Sequence, residues 1–355
     1  MKIVTIVGAR PQFIKAAPVS RALARQSGVV ECIVHTGQHY DANMSDVFFD
    51  ELLIPAPAHH LGIGGLSHGA NTGRTIEAIE TVLLEEKPDW VMVYGDTNST
   101  LAGALAAAKL HIPIAHVEAG LRSFNMRMPE EVNRRLTDHC SSLLFTPCNQ
   151  ADVNLRNEGI TGAHVRNVGD VMYDAVLMFS NAVDATSSQL EQFGVERGKY
   201  VLATIHRQEN TDQMERMFAI MDGLGASPHP VLLPLHPRTR GILASLDLTV
   251  PSNVHVVNPL GYLQMLDLER NAALVVTDSG GVQKEAYFHG VPCITLRDET
   301  EWTELVELGW NQLASPSHDD LRAIIAAGGT VGREDILPYG DGTAAEKIAC
   351  LLAEY

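Results

Sequence analysis

Two carboxylates in the first half of the sequence follow short apolar runs that are typical of buried strands. Asp96 comes shortly after residues 90–94, and Glu118 comes directly after residues 114–117. Because parallel strands end at one edge of a sheet, we expect both carboxylates at that edge. Two acids in this arrangement suit general acid and base catalysis. Asp96 also suits a helix cap, so that alternative stays open.

Two cations follow the first apolar run, at residues 3–7. Arg10 lies in the turn and Lys15 lies shortly after Pro11, a residue suited to the first position of a helix. Both cations can therefore point at an anion near the N-terminus of that helix. An ordinary turn with solvated cations is the alternative. The sequence has no Gly-x-Gly-x-x-Gly and no Walker-type phosphate loop, so we expect no bound dinucleotide.

A glycine-rich turn in the second half of the sequence predicts an anion site. Ser279, Gly280 and Gly281 follow a strand-like run and open a helix, whose free amides can hold a phosphate. Glu285, within the first two turns, suits ribose hydroxyls beside that phosphate. His206 and His236 each follow a strand-like run beside cations, so one of them is a candidate phosphate partner or proton carrier.

Composition excludes several classes of protein. The formal net charge of −17 opposes binding to nucleic acid or to an acidic membrane surface. No window offers the roughly 20 apolar residues of a membrane span, and the N-terminal apolar run is too short for a secretion signal. Five widely spaced cysteines form no Cys-x-x-Cys pair, so reduced thiols and no metal site are expected. We expect a cytoplasmic protein.

The hydrophobic pattern predicts two doubly wound α/β domains. Uninterrupted apolar runs separated by helical patterns indicate parallel sheets covered on both faces. We expect domains at 1–169 and 170–342, and a final helix at 343–355 that packs on either domain. The ten predicted strands are residues 3–7, 32–35, 90–94, 114–117, 143–146, 200–204, 231–235, 254–257, 274–277 and 293–296.

Six motifs in a fixed order resemble the non-hydrolysing UDP-N-acetylglucosamine 2-epimerase family over nearly the whole chain. The resemblance implies two Rossmann-like domains that face a cleft, as in B-type glycosyltransferases, and a homodimer without an added cofactor. The motifs are Gly-Ala-Arg-Pro-Gln, Gly-Asp-Thr-Asn-Ser-Thr, His-Val-Glu-Ala-Gly-Leu-Arg, Pro-Glu-Glu-Val-Asn-Arg, His-Arg-x-Glu-Asn and Thr-Asp-Ser-Gly-Gly-Val-Gln.

The resemblance also implies roles for individual residues. The reaction is an anti elimination of UDP across C1 and C2 of the sugar, followed by re-addition of UDP after the proton returns on the other face. Ser279, Gly280 and Glu285 are implied to hold UDP, and Glu130 rather than Glu131 is implied to be the family's acid after proline. The implied reaction centre is Arg10, Lys15, Asp96, Glu118, Glu130 and His206.

Departures from the family pattern favour a narrower branch. Residues 301–304 read Glu-Trp-Thr-Glu where the family commonly has Glu-Arg-Pro-Glu, and Gln38 is followed by Asp41 where many members have a second regulatory glutamine. These features are similar to enzymes that epimerise UDP-2,3-diacetamido-2,3-dideoxyglucuronate for surface polysaccharide synthesis. A uronate needs a cation for its carboxylate, and we expect Arg127 to supply it.

Three alternative functions fit the same architecture, because a fold alone does not settle activity. A retaining UDP-sugar glycosyltransferase would need an acceptor. A hydrolysing 2-epimerase would release free UDP, and a nucleotide-sugar sensor would bind without turnover. Plain UDP-N-acetylglucosamine is the alternative substrate.

Overall fold

The computed structural model describes residues 1–38, 54–184, 190–235, 237–245 and 249–355. The chain forms two compact units. The first unit contains Met1–Met178 together with Leu337–Tyr355, and the second contains Phe179–Ile336.

The first unit contains a seven-stranded parallel sheet in the order β3-β2-β1-β4-β5-β6-β7. Its strands are β1 Lys2–Val7, β2 Val30–His35, β3 His59–His60, β4 Trp90–Tyr94, β5 Ile114–Val117, β6 Leu143–Thr146 and β7 Val165–Asn167. Its helices are α1 Arg10–Leu23, α2 His68–Glu86, α3 Asn98–Lys109, α4 Pro129–Cys140, α5 Asn149–Asn157 and α6 Val171–Asp184.

The second unit contains a six-stranded parallel sheet in the order β10-β9-β8-β11-β12-β13. Its strands are β8 Val201–Thr204, β9 Val231–Pro234, β10 Val254–Val257, β11 Leu274–Thr277, β12 Cys293–Thr295 and β13 Asn311–Leu313. A 3-10 turn at Leu190–Phe193 precedes its helices, which are α7 Gln208–Thr211, α8 Met214–Gly225, α9 Pro237–Ser245, α10 Tyr262–Asn271, α11 Gly280–Phe288, α12 Thr303–Glu307 and α13 Leu321–Ala327.

The central strands form because their residues are mostly apolar and are buried on both faces. Every residue of β4, β5, β6, β8 and β11 is buried. Strands of this kind are found in parallel sheets between two helical layers. The two predicted doubly wound α/β domains are therefore confirmed.

The last helix, α14 Ala344–Ala353, belongs to the first unit. It packs against α1, and the Asp174 carboxylate accepts hydrogen bonds from its first backbone amides, Ala344 N at 3.2 Å and Ala345 N at 2.8 Å. The chain enters the second unit within α6, later than the predicted boundary at 169, and returns at Leu337, before the predicted boundary at 342. Asp170 N donates to Tyr339 O at 2.9 Å, which ties both crossing segments to the first unit.

Candidate active site

The strand order of each sheet reverses beside its first strand, which places β1 next to β4 and β8 next to β11. Ligands of open parallel sheets bind beyond the carboxyl ends of the strands at such a reversal. In the first unit, Gln12 joins the two turns at this point. Its Oε1 accepts from Gly8 N at 2.8 Å and its Nε2 donates to Tyr94 O at 2.9 Å. The turn that carries the half-buried Arg10 is thereby fixed against the turn that carries Asp96.

Lys15 and Glu118 form a buried ion pair between α1 and the end of β5. Lys15 Nζ donates to Glu118 Oε2, and the two side chains are only 10% and 5% exposed. Gly95 makes room for the pair: a Cβ atom there would lie 3.1 Å from Glu118 Oε2 and 3.5 Å from Lys15 Nζ. The pair thus packs against the backbone of the turn that precedes Asp96.

Asp96 is held by two residues of helix α4. Arg134 Nη2 donates to Asp96 Oδ2 at 2.5 Å, and Asn133 Nδ2 donates to the Asp96 carbonyl oxygen at 2.9 Å. The Asp96 side chain remains 29% exposed. The carboxylate is therefore oriented by a buried cation and is still accessible to a ligand.

The two glutamates at the start of α4 differ sharply in environment. Glu131 is fully buried, and its carboxylate accepts from Ser123 N at 2.8 Å and from Phe124 N at 3.2 Å. Arg134 Nη1 also donates to it, at 3.2 Å. Glu130 is half-buried, and its side chain forms no hydrogen bond or ion pair with the described residues. Glu131 therefore anchors the loop before α4, whereas Glu130 is available for chemistry.

Arg127 lies in this same loop and is exposed. Its backbone N–H donates to Asn125 Oδ1 at 3.1 Å, which shapes the turn. Within the described ranges, its guanidinium has no hydrogen bond or ion pair. The side chain is thus available for an anionic group, which is the role predicted for it.

A buried polar network beneath these acids was missed by the sequence reasoning. His116 Nδ1 lies 2.7 Å from Asp138 Oδ1, and Asp138 Oδ2 lies 2.7 Å from Arg122 Nη1. Arg122 in turn makes a bidentate pair with Glu158, at 2.9 and 2.8 Å. His116 and Arg122 flank Glu118 within one motif, so two polar residues beside a predicted acid were the signal for this network.

In the second unit, a buried aspartate orients His206. Asp278 Oδ1 lies 3.0 Å from His206 Nδ1, and the same carboxylate accepts from His206 N at 3.1 Å and from Arg207 N at 3.0 Å. Burial raises the pKa of Asp278, but hydrogen bonds from His206, Asn210 and Arg207 and the charge of His206 outweigh it and lower the pKa overall. The His206 side chain is 56% exposed. Asp278 therefore holds the His206 ring in place while much of the ring stays exposed to solvent.

The predicted anion cradle is the N-terminus of helix α11. Ser279 is its N-cap, and its Oγ accepts from Val282 N at 3.5 Å. Thr277 Oγ1 also accepts from Ser279 N, at 2.9 Å, which holds the strand end against the helix start. Glu285 is buried in the second turn of the helix. A ligand would meet backbone amides at Gly280 and Gly281 without a side chain between them.

Two buried cations lie close to this cradle although position 302 carries a tryptophan. Lys284 Nζ is 3.9 Å from the centre of the Trp302 ring, and Arg297 Nη1 donates to Glu301 Oε2 at 3.0 Å. A Cβ atom at Gly280 would lie 2.8 Å from Glu301 Oε1 and 3.7 Å from Trp302 Nε1. The start of α11 therefore has buried positive charge nearby without an arginine at position 302.

Two predicted positions, His236 and Asp41, lie outside the described residues. Gln38, the other residue of the regulatory comparison, is used within the fold. Its Oε1 accepts from Ser99 N at 3.0 Å and from Ser99 Oγ at 2.7 Å, so it caps the start of α3.

Metal-ligand atoms approach one another at a different place in the first unit. Ligand atoms of Cys32, His59 and Glu86 lie within 4.8 Å of one another. The Lys2 ammonium donates to the Glu86 carboxylate, and His59 Nε2 lies 2.6 Å from Glu86 Oε1. Lys2 begins β1 and Glu86 ends α2, so this group lies toward the amino ends of the strands, away from Asp96 and Glu118. A cation already satisfies its carboxylate.

Acids and cations at one reversal of strand order, with an amide cradle at another, define an enzyme of glycosyltransferase-B-like fold that acts on a nucleotide sugar. The chain belongs to the UDP-N-acetylglucosamine 2-epimerase family, whose model matches residues 21–353.

Relatives and solved structures agree with this assignment. The chain is 53% identical to the UDP-2,3-diacetamido-2,3-dideoxy-D-glucuronate 2-epimerase of Pseudomonas aeruginosa, over 100% of both chains. It is 44% identical to the UDP-N-acetylglucosamine 2-epimerase of Methanocaldococcus jannaschii, over 99% of both. The crystal structure of the Methanocaldococcus jannaschii enzyme in complex with UDP-GlcNAc and UDP matches the whole of both chains with a TM-score of 0.90 at 42% identity.

In the part of the chain that the structure describes, no helix has the length and apolar character that crossing a membrane requires.

Proposed function

We propose that this chain inverts C2 of a UDP-linked N-acetylamino sugar by anti elimination and re-addition of UDP. The observation that carries the proposal is the grouping of acids with cations at one strand-order reversal. There, Glu118 is paired with Lys15 and Asp96 is paired with Arg134. The relatives named above supply the reaction class.

The proposed chemistry begins with removal of the C2 proton by a carboxylate. The C2–H electron pair forms the C1–C2 double bond while the C1–O bond to UDP breaks, and UDP leaves with the electron pair of that C1–O bond. A second acid then delivers a proton to the opposite face of C2, and UDP adds back at C1. Asp96, Glu118 and Glu130 are the proposed proton carriers, because a positioned carboxylate can act as a general acid or base.

We assign UDP binding to the second unit. The amides of Ser279, Gly280 and Gly281 hold the diphosphate, and Glu285 binds the ribose hydroxyls. His206, supported by Asp278, and Arg10 stabilise the charge of the departing UDP. Lys15 pairs with Glu118 and holds it in place.

The proposed substrate is UDP-2,3-diacetamido-2,3-dideoxyglucuronate, which is converted to its manno epimer for surface polysaccharide synthesis. Arg127 supports this choice, because it is a basic side chain without a partner among the described residues, next to the acid-bearing helix. The similarity to the Pseudomonas aeruginosa enzyme points to the same sugar. The proposal also includes a homodimer in the cytoplasm.

Proton NMR in heavy water tests the reaction directly. The chain is incubated with each candidate UDP-sugar and no acceptor. The expected result is interconversion of two C2 epimers, with deuterium entering C2 of both. A chain that releases free UDP and sugar would be a hydrolysing epimerase, and one that turns over only with an acceptor would be a glycosyltransferase. Epimerisation with full retention of the C2 proton would contradict the elimination.

A further inference from the structure

His116 is fully buried, and both of its ring nitrogens face oxygen atoms. Nδ1 lies 2.7 Å from Asp138 Oδ1, and Nε2 lies 2.8 Å from the carbonyl oxygen of Gly95. A carbonyl oxygen can only accept, so Nε2 carries a hydrogen. A neutral imidazole has a hydrogen on one nitrogen only, and both nitrogens donate only in the charged form.

Asp138 is placed to accept rather than to donate. Its second oxygen accepts from Gly120 N at 3.1 Å and lies 2.7 Å from Arg122 Nη1. Burial raises the pKa of Asp138, but the hydrogen bond and charge of His116, with those of Arg122, outweigh burial and lower the pKa overall. An ionised Asp138 has no hydrogen to offer, so the hydrogen between it and Nδ1 belongs to His116.

We propose that His116 is a positioning residue, carried as an imidazolium, that fixes both acid-bearing turns to helix α4. One bond holds Gly95, the residue before Asp96. The other holds Asp138 on α4, which also binds Gly120 N just after Glu118. The inference rests on the proposed function, since it concerns the placement of acids that the reaction uses.

The geometry of Gly95 explains why its position matters. The Lys15–Glu118 pair lies where a Cβ atom at Gly95 would come into contact with it, so a shift of this backbone changes the relation between Asp96 and Glu118. A displacement of about 1 Å in a catalytic group costs on the order of 100-fold in rate. Without the His116 bond, the Gly95 carbonyl would be buried and unpaired, and the turn would relax toward another donor.

Three variants separate the effect of the His116 hydrogen bonds from the effect of its charge. His116→Phe keeps a ring of similar shape and removes both donors. Asp138→Asn can place its amide nitrogen at the Oδ1 position, so that it donates to Nδ1 and leaves a neutral His116 still bonded to Gly95. Glu31→Gln is the matched control, because Glu31 is a carboxylate of the same sheet, bonded to Thr5 Oγ1 at 2.5 Å near the amino ends of the strands.

Nitrogen-15 NMR of the imidazole rings reads the charge state without any assay of activity. The His116 signals are those absent from His116→Phe, or those that change in Asp138→Asn if the phenylalanine variant does not fold. We expect both ring nitrogens in the range of protonated nitrogens in the unchanged chain. In Asp138→Asn, Nδ1 should move to the unprotonated range. Signals of a neutral ring in the unchanged chain would overturn the proposed charge.

Steady-state kinetics test the positioning role of His116. For His116→Phe we expect kcat to fall about 10- to 100-fold, with UDP affinity unchanged in a titration with UDP alone. Asp138→Asn should show a smaller loss, and Glu31→Gln none. A lower melting temperature with unchanged kcat per folded molecule would overturn the positioning role.

The amide signals of Gly95 and Asp96 give an independent reading, because they should shift in His116→Phe and stay in place in Glu31→Gln. Unmoved signals in His116→Phe would also overturn the role. If the unchanged chain epimerises no UDP-amino sugar, the proposed function fails, while the NMR measurements still decide the state and contacts of His116.

Discussion

Glu118 has a backbone φ of 70°, a left-handed conformation that is uncommon outside glycine. Strain of this kind is found at functional sites, where surrounding contacts hold the residue in place. Here the contacts are the Lys15 ammonium and the close approach of Gly95. In this conformation the Glu118 carboxylate accepts from Lys15 beside the backbone of Gly95.

We therefore expect Glu118→Gln to abolish turnover while UDP affinity stays unchanged. Glutamine keeps an oxygen for Lys15 but cannot accept the substrate proton. Turnover is measured by NMR of the UDP-sugar and affinity by titration with UDP. Because removal of one charge leaves Lys15 buried without its counter-ion, the double variant Lys15→Met, Glu118→Gln controls for stability. Normal turnover in Glu118→Gln would exclude it as a proton carrier.

Arg127 carries the prediction about the sugar. Arg127→Ala should lower turnover of the diacetamido-glucuronate on the order of 10- to 100-fold, the scale of one lost hydrogen bond to a charged group. UDP-N-acetylglucosamine lacks the carboxylate, so its turnover should change little. Arg127→Lys should retain part of the activity, because lysine supplies charge without the planar fork. Arg25→Ala, at an exposed pair with Glu346, is the control.

Equal losses on the two sugars would contradict the proposed contact between Arg127 and the uronate. A preference of the unchanged chain for UDP-N-acetylglucosamine would also contradict the choice of substrate.

Helix α4 is the element that organises the acids of the first unit. It contributes Glu130, holds Asp96 through Arg134, and anchors the preceding loop through Glu131. Its Asp138 reaches the turn after β5 through Gly120. The residues that touch the strand ends recur along this helix at 131, 134 and 138, so one face of it determines the geometry of several turns.

The predicted strands were confirmed where apolar runs are long and central. Strands β4, β5, β6 and β11 have the predicted bounds, because burial on both faces demands a largely apolar sequence. Strand β10 also has the predicted bounds, although it lies at a sheet edge and is only partly buried. The strands β3, β7 and β13 were not predicted. Each has only two or three residues and lies at a sheet edge, where polar residues such as His59 and Asn311 are tolerated.

The assigned roles of the site residues stay predictions, although several placements follow from the sequence. The positions of Asp96 and Glu118 could be predicted, because both residues follow strands and the carboxyl ends of parallel strands share one edge of the sheet. The Lys15–Glu118 pair was not foreseeable, since these residues are far apart in the chain and meet only through the order β1-β4-β5. The support of His206 by Asp278 depends in the same way on β8 lying beside β11.

The two glycines that open helix α11 give a paired prediction. Gly280→Ala should destabilise the chain without ligand, because its Cβ would lie 2.8 Å from Glu301 Oε1, which the Arg297 ion pair holds in place. Gly281→Ala should keep or slightly raise the melting temperature, since its nearest neighbours lie at 4.0 Å and alanine favours helix. Both should weaken UDP binding.

Thermal unfolding without ligand and calorimetric titration with UDP measure the two effects separately. Gly281→Ala tests the phosphate site most directly, because its methyl group covers the backbone that a phosphate would approach and meets no close neighbour in the protein. Full UDP affinity in Gly281→Ala would mean that no phosphate approaches this backbone closely.

At the scale of the molecule, each unit contains a buried aspartate whose pKa is lowered, Asp138 in the first and Asp278 in the second. A lowered folded pKa means that the unfolded chain binds protons more readily. The stability that these groups contribute is complete above their unfolded pKa of about 4 and is lost as the pH falls through the folded value. Both units should therefore lose stability below about pH 4.

Urea unfolding at a series of pH values, followed by hydrogen exchange in each unit, measures this loss. Asp138→Asn should flatten the acid dependence of the first unit and leave that of the second unchanged. Asp278→Asn is the reciprocal variant. An unchanged slope in the first unit of Asp138→Asn would show that other carboxylates govern its acid unfolding.

The second unit is an insertion in the first, because the chain leaves at Met178 and returns at Leu337. During translation, residues 179–336 emerge and can complete their own sheet while the first unit still lacks α14. The buried side chains of that helix, among them Ile348 and Leu352, cover apolar surface that stays open to solvent until α14 itself leaves the ribosome. Because domains fold largely as they are made, the unit that carries the acids is the first to be synthesised and the last to be completed.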